Sequence, residues 1–171
     1  GVKLSAEVAD GMIPVFMDPA RFDVFEGPLI EGFALCSETK NLDNFSITPF
    51  ISVNLNDDIE LARIPQRESL ALYIGGMGAR DKNFYNDYAK RLGYESAAIE
   101  IQDHFLSGRR NEAMAAVPEE LIDAVSLAGP KGHILERLSE WKKAASRKEV
   151  SSLLCRCNSK EEIRVLAKAV L

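Results

Sequence analysis

The sequence predicts an α/β fold built on parallel strands, and three features of the 171-residue chain predict it. Apolar runs of strand length occur at Met12 to Met17, Phe45 to Asn54 and Val150 to Cys155. Helix-start signals follow them at Asp18-Pro19, at Asp57-Asp58-Ile59-Glu60 and at Ser159-Lys160-Glu161-Glu162. The resulting order is helix, strand, helix, strand, a long helical stretch, helix, strand, helix. Strands separated by helices pair in parallel, because each crossover returns the chain to the same end of the sheet.

Each element has its own reason. Val2, Leu4, Ala6 and Ala9 give the opening residues the apolar stripe of an amphipathic helix, which ends at Ala9-Asp10-Gly11. The run Met12-Ile13-Pro14-Val15-Phe16-Met17 reads as a buried strand. Asp18 can cap a helix, and Pro19 suits the first turn, where its missing N–H costs nothing. Phe22, Phe25, Leu29 and Phe33 then recur at helical spacing. The polar stretch Ser37 to Asn44 reads as a loop. Phe45, Ile47, Pro49, Ile51, Val53 and Leu55 alternate strictly, so they share one face of a strand, with an irregularity expected at Pro49. Pro65 is expected to kink or divide the helix that follows.

From Glu68 to Ala124 the sequence reads as several helices broken at Gly75-Gly76, Gly93, Gly108 and Pro118. This is long for one connection between strands and suggests a lid or subdomain. Val125 to Ala128 is a short extended run, and Gly129-Pro130 opens a helix carrying Ile134, Leu135, Leu138 and Trp141. Ile163, Leu166, Ala167 and Val170 give the last helix its stripe.

Composition narrows the function. An apolar fraction of 46% with 27% charged residues suits one core-forming domain. A net charge of -5 argues against nucleic acid as a partner, because phosphate binding needs a concentrated basic surface. The basic group Lys142-Lys143 to Arg147-Lys148 sits at a helix end, where cations suit the dipole. No apolar run approaches the ~20 residues that span a bilayer, and no signal or transit segment is visible. Cys36, Cys155 and Cys157 show no zinc spacing or disulfide framework, so free thiols in a reducing cytoplasm are expected.

Three segments carry a family resemblance. The first is Leu4-Ser5-Ala6-Glu7-Val8-Ala9-Asp10-Gly11. The second, the most specific, is Leu72-Tyr73-Ile74-Gly75-Gly76-Met77-Gly78 continuing through Lys82-Asn83-Phe84-Tyr85-Asn86. The third runs from Val117-Pro118 through Asp123-Ala124-Val125-Ser126-Leu127 to Gly129-Pro130. In this order and approximate spacing, the chain resembles the C-terminal half of a luciferase-like monooxygenase, in the branch that includes the coenzyme F-420-dependent oxidoreductases. Ser5-Ala6, where the family has Ala-Gly, and Pro65 depart from the pattern.

The resemblance implies the last three strands of a (β/α)8 barrel of about twice this length, with the insertion at 68–124 beside a site at the strands' C-terminal ends. It implies coenzyme F-420, with FMN as the alternative, and a small organic substrate. The missing first half-barrel, which carries most cofactor contacts in the family, becomes an expected partner. The chain opens just before its first strand without an initiator Met. An enzyme half, inactive by itself, is therefore expected.

Candidate site residues come from the second segment. Gly75, Gly76 and Gly78 around Met77 lack the P-loop ending and do not follow a strand. They read as a helix-breaking turn or, by the resemblance, as a loop at the active-site mouth. Lys82 suits an anionic cofactor tail, and Asn83 and Tyr85 suit substrate hydrogen bonds, if they do not simply form a solvated helix face. His104 and His133 have no partner at ligand spacing, and Glu7 and Asp10 lie in a helix-end context. No catalytic residue is assigned. The other reading is a non-catalytic half-barrel that binds or supports a partner and covers its open edges by that partner or by dimerisation.

Overall fold

The computed structural model describes residues 1–36 and 39–170, so the first residues of the expected polar loop, Ser37 and Glu38, lie outside the described residues. Helix α1 (Val2–Val8) buries Ala6, whereas Leu4 and Val8 are exposed, so the expected stripe is only partly used. The Lys40 ammonium donates to the carbonyls of Ala6, Glu7 and Ala9 and closes the end of this helix.

The first expected strand is shorter than its apolar run. Strand β1 is Gly11–Met12, and pairing resumes only as a single bridge from Val15 to Phe50. Pro14 has no N–H to donate, and Phe16 turns to φ 53, which no regular ladder tolerates. Asp18 does not cap the next helix. Its Oδ1 accepts the Ala20 N–H in a separate turn, and helix α2 (Asp23–Phe33) starts later. Burial pushes the Asp18 carboxyl up. Phe22, Phe25 and Leu29 enter the core as expected, and Phe33 packs edge-on against Phe45 with ring centroids 5.3 Å apart.

The second expected strand is split at Thr48-Pro49 into β2 (Ser46–Ile47) and β3 (Phe50–Leu55). Its two edges stay regular through the break. Ser46, Thr48 and Phe50 donate to the carbonyls of Asp10, Met12 and Pro14 on one side. Ile47 and Pro49 accept from the Ser151 and Leu154 N–H groups on the other. Pro49 thus keeps its place by using the carbonyl, the one ladder group it has.

The last expected strand starts later than predicted. It is β5 (Leu154–Arg156), paired in parallel with β3 as Phe50↔Leu154, Ile51↔Cys155 and Ser52↔Arg156. Where β1 stops, a short strand β4 (Ser126–Gly129) takes over its edge, with Asn56 donating to Gly129 O. All the ladders among the described residues are parallel. The outer edges of β1 and β5 carry no strand partner among the described residues.

Helix α3 (Ile59–Gly76) starts at Asp58, whose carboxylate accepts from Glu60 and Leu61. It runs through Pro65, which was expected to kink or divide it and does not divide it. A proline here removes one intrahelical bond, and buried Ala62 and Gln66 on either side anchor the helix against the core. The insert continues as α4 (Phe84–Arg91), α5 (Glu95–Leu106), α6 (Arg110–Ala115) and α7 (Glu119–Val125). The expected breaks at Gly93, Gly108 and Pro118 occur, with both glycines at positive φ. Gly75 and Gly76 do not break the helix. They form its last turn, and the break begins at Met77.

Helix α8 (Lys131–Ser146) packs beside β4 and sends Ile134, Leu138 and Trp141 into the same core that takes the odd-numbered residues Ile47, Ile51 and Val53 of the central strand. Helix α9 (Lys160–Val170) carries a complete capping box. Ser159 Oγ accepts the Glu162 N–H, and the Glu162 carboxylate accepts the Ser159 N–H. The same buried carboxylate also accepts from Leu55 N–H, which ties the helix to the end of β3. Cys36, Cys155 and Cys157 are free, and no helix among the described residues is long and apolar enough to cross a membrane.

Burial, with Cys157 adding to it, pushes the Cys155 thiol up to about 11. At pH 8 its thiolate fraction is then about two orders of magnitude below that of an ordinary thiol of pKa ~8.5. Iodoacetamide labelling followed by peptide mass spectrometry is expected to show Cys155 reacting slower by about that factor. Labelling at the rate of a free thiol would refute the burial account.

Candidate functional site

The even-numbered positions of the central strand, Ser46, Thr48, Phe50, Ser52 and Asn54, face away from the buried side. On β5 the register places Leu154 and Arg156 on that same open face, opposite Phe50 and Ser52. The face is lined mainly by small polar groups. Thr48 and Ser152 share a hydrogen bond of 2.9 Å across it.

A cavity of ≈ 220 Å³ opens on this face. Its floor is Phe50 and Ser52, and α3 forms one wall through Gln66, Ser69 and Tyr73. Val15 and Phe16, just beyond β1, close another side, and Arg156 stands at the end of β5. The hollow therefore lies on the open face of the sheet, between the first half of β3, the end of β5, the residue just before β4 and the side of α3. Concave places of this kind, with a few convergent polar groups on a rigid frame, are where small ligands bind.

The polar groups of the cavity are not used by the fold. Ser52, Gln66, Ser69, Tyr73 and Arg156 make no side-chain hydrogen bond to another described residue. Gln66 is the clearest case, at 3% exposure with its amide opening on the cavity. The amide is therefore open to water or a ligand from the cavity side. Arg156 is the one charged group on the lining. Phe16, at φ 53, is held in a conformation that a bulky residue rarely adopts, and such backbone clusters at ligand sites.

The mouth is aromatic. Phe16 lies 5.2 Å from Tyr73 and 6.1 Å from Tyr85, ring centroid to centroid, and Tyr73 lies 4.7 Å from Tyr85 at 89°. Of the candidates from the glycine-rich segment, Tyr85 is thus brought next to two cavity residues, Phe16 and Tyr73. Asn83 is buried and fully engaged with backbone. Its oxygen caps α4 by accepting from Tyr85 and Asn86, and its Nδ2 donates to the Tyr73 and Ile74 carbonyls. It is neither a solvated helix face nor a group left over for a substrate. Lys82 and Met77 are exposed in the turn between α3 and α4 and do not line the cavity.

Gly75 and Gly76 serve packing. A Cβ on Gly75 would lie 2.6 Å from Phe105 Cβ, and one on Gly76 would lie 2.3 Å from the Phe105 ring. Gly78 is in the turn, where a Cβ would meet Lys82 O at 2.5 Å. Among the described residues no cluster of His, Cys, Asp or Glu could hold a metal ion. His104 lies 3.7 Å from Glu100 and His133 lies 3.5 Å from Asp123, both away from the cavity.

Ser52, Gln66 and Arg156 escaped the sequence reading. Arg156 had a usable signal, since it is a charged residue two places after Leu154 at the end of a parallel strand. Gln66 had none, because helix periodicity says nothing of which strand face the helix covers.

Comparison with known proteins follows this geometry. A family model described as luciferase-like monooxygenase matches residues 1–148. A putative coenzyme F-420-dependent oxidoreductase of Mycobacterium tuberculosis is 34% identical over 169 residues, covering 99% of this chain and 48% of the relative. The 5,10-methylenetetrahydromethanopterin reductase of Archaeoglobus fulgidus is 22% identical, over 99% of this chain and 50% of its own. The chain spans about half the length of these curated relatives. The coenzyme F-420-dependent tetrahydromethanopterin reductase of Methanopyrus kandleri superposes with a TM-score of 0.69 at 19% identity, over 99% of this chain and 46% of that one.

Proposed function

Since the chain belongs to the luciferase-like monooxygenase family, we propose that it is the C-terminal half of a coenzyme F-420-dependent oxidoreductase acting on a small organic substrate. The observation that carries the reading is the cavity on the open face of the parallel sheet, lined by polar side chains that make no hydrogen bond to other described residues. Similarity to relatives named for coenzyme F-420 favours the deazaflavin over FMN.

A cavity of ≈ 220 Å³ is below the ~300–1,000 Å³ of drug-sized ligand sites. It suits a substrate, while a three-ring cofactor fits only along the open polar face beside it. Phe50 offers that face an apolar surface, and Ser52 offers a hydroxyl. When bound, the deazaflavin supplies a hydride acceptor or donor. This chain's part is to position the substrate against it. The Phe16, Tyr73 and Tyr85 rings exclude water from one side, and Gln66 and Ser69 supply orienting hydrogen bonds.

The open edges of β1 and β5 favour a complementary first half-barrel as partner, and a second copy is the other candidate to cover them. The free cysteines favour a reducing cytoplasm. The non-catalytic half-barrel reading also draws on those open edges. A fluorescence titration separates the two. The protein from its complete natural reading frame is expected to bind F-420 at micromolar concentration and FMN more weakly. This chain alone is expected to bind neither and to oxidise neither reduced form, since one wall of the pocket is then solvent. Absence of F-420 binding by the complete protein would refute the proposal. Micromolar binding by the chain alone would make the half-barrel a functional unit.

A further inference from the structure

We propose that the cavity selects a substrate bearing a single carboxylate, which Arg156 anchors and Gln66 and Ser52 orient. The inference rests on the oxidoreductase reading and adds the chemical class of the substrate. Three observations carry it. Arg156 is the only charged residue lining the cavity, and it makes no ion pair with any described carboxylate. Arg91, Arg109, Arg110 and Arg137 also lack an acidic partner among the described residues, but none of them lines this cavity. The rest of the polar lining is neutral: two hydroxymethyl groups, a phenol and the buried Gln66 amide.

The charge balance selects the class. One guanidinium against a neutral lining compensates one negative charge. A phosphate monoester, carrying nearly two at neutral pH, exceeds what the one guanidinium of this lining balances. The guanidinium fork matches the planar carboxylate with two parallel N–H···O bonds. The Gln66 Nε2 group and the hydroxyls of Ser52 and Ser69 supply further donors to carboxylate oxygens. Phe16, Phe50 and Val15 offer the apolar contacts that a hydrocarbon or aromatic body attached to the carboxylate needs.

Benzoate, its neutral isostere benzamide, and phenyl phosphate test the inference by calorimetry on the protein from its complete reading frame. Benzoate is expected to bind about fivefold more tightly than benzamide, as one two-point charge-assisted contact from the exposed Arg156 allows. R156Q is expected to abolish that preference, and R156K to keep part of it as a single-point contact. Far-UV circular dichroism and the melting temperature of R156Q are expected to match the parent, because Arg156 has no fold partner to lose. Equal binding of benzoate and benzamide, no benzoate binding at all, a preference that survives R156Q, or tighter binding of phenyl phosphate would each overturn the proposal. The F-420 titration is read separately. Cofactor binding without carboxylate selectivity defeats only this inference. Carboxylate selectivity without cofactor binding defeats the oxidoreductase reading and leaves a carboxylate-binding hollow.

Discussion

Arg63→Ala is expected to destabilise the protein by about 3 kcal/mol, within the roughly 3–5 kcal/mol lost when one partner of a buried ion pair is removed. Arg63 is 7% exposed on α3. Its Nε and Nη2 form a two-point fork to Asp123 at 3.1 and 2.7 Å, and Nη1 reaches Glu119 at 2.7 Å and Glu60 at 3.1 Å. The pairs with Glu60 and Glu119 count for little, because both carboxylates are more than half exposed and water screens them. The fork to Asp123 carries most of the effect, since Asp123 is only 19% exposed. Deletion also leaves three carboxylates near one another without their shared cation, and it removes the guanidinium stem that packs α3 on α7. Arg63→Lys is expected to recover less than half of the loss, because an ammonium cannot form the fork. Urea unfolding of the three proteins measures this. A loss below about 1 kcal/mol for Arg63→Ala would show that the pair is screened like a surface bridge.

Gly75→Val is expected to cost about 3 kcal/mol, at the upper end of the roughly 1–3 kcal/mol typical of overpacking. The added Cβ would stand 2.6 Å from Phe105 Cβ and 3.2 Å from the Ile101 carbonyl. A ring can swing aside, but the carbonyl belongs to the α5 backbone, so α3 and α5 must separate. The γ-methyl groups enlarge the clash. A residue that merely lined an active-site mouth would behave otherwise, with ligand affinity altered and stability kept. Thermal melts of Gly75→Ala and Gly75→Val decide between these roles. An unchanged melting temperature in Gly75→Val would return Gly75 to the list of site candidates.

Much of the fold was legible because its signals are local. The Ser159–Glu162 capping box, the helix ends at Gly93 and Gly108, and the start of α3 at Asp58 each depend on groups within a few residues. The buried phase of the central strand follows from strict alternation, so Ile47, Ile51 and Val53 were assigned to the core correctly. The family could likewise be read from three short segments, and the match over residues 1–148 bears it out.

Strand extents failed where one residue overrode an apolar run. Pro14 and the turned Phe16 cut β1 short, whereas the break of the second strand at Thr48-Pro49 is the irregularity expected at Pro49. The reverse error occurred at Gly75-Gly76, which sit inside α3, and α3 is likewise not divided at Pro65. There the packed neighbours decide, since the core holds α3 around Pro65 and the Phe105 ring requires glycine beneath it. The sequence by itself determined the order of elements, their parallel pairing and the buried face of the central strand, because those follow from backbone chemistry and short-range periodicity. Only the tertiary structure decided the site. Phe16, Ser52, Gln66 and Arg156 come from four separate elements, and their meeting depends on how α3 lies against the open face of the sheet, a relation that no spacing along the chain encodes.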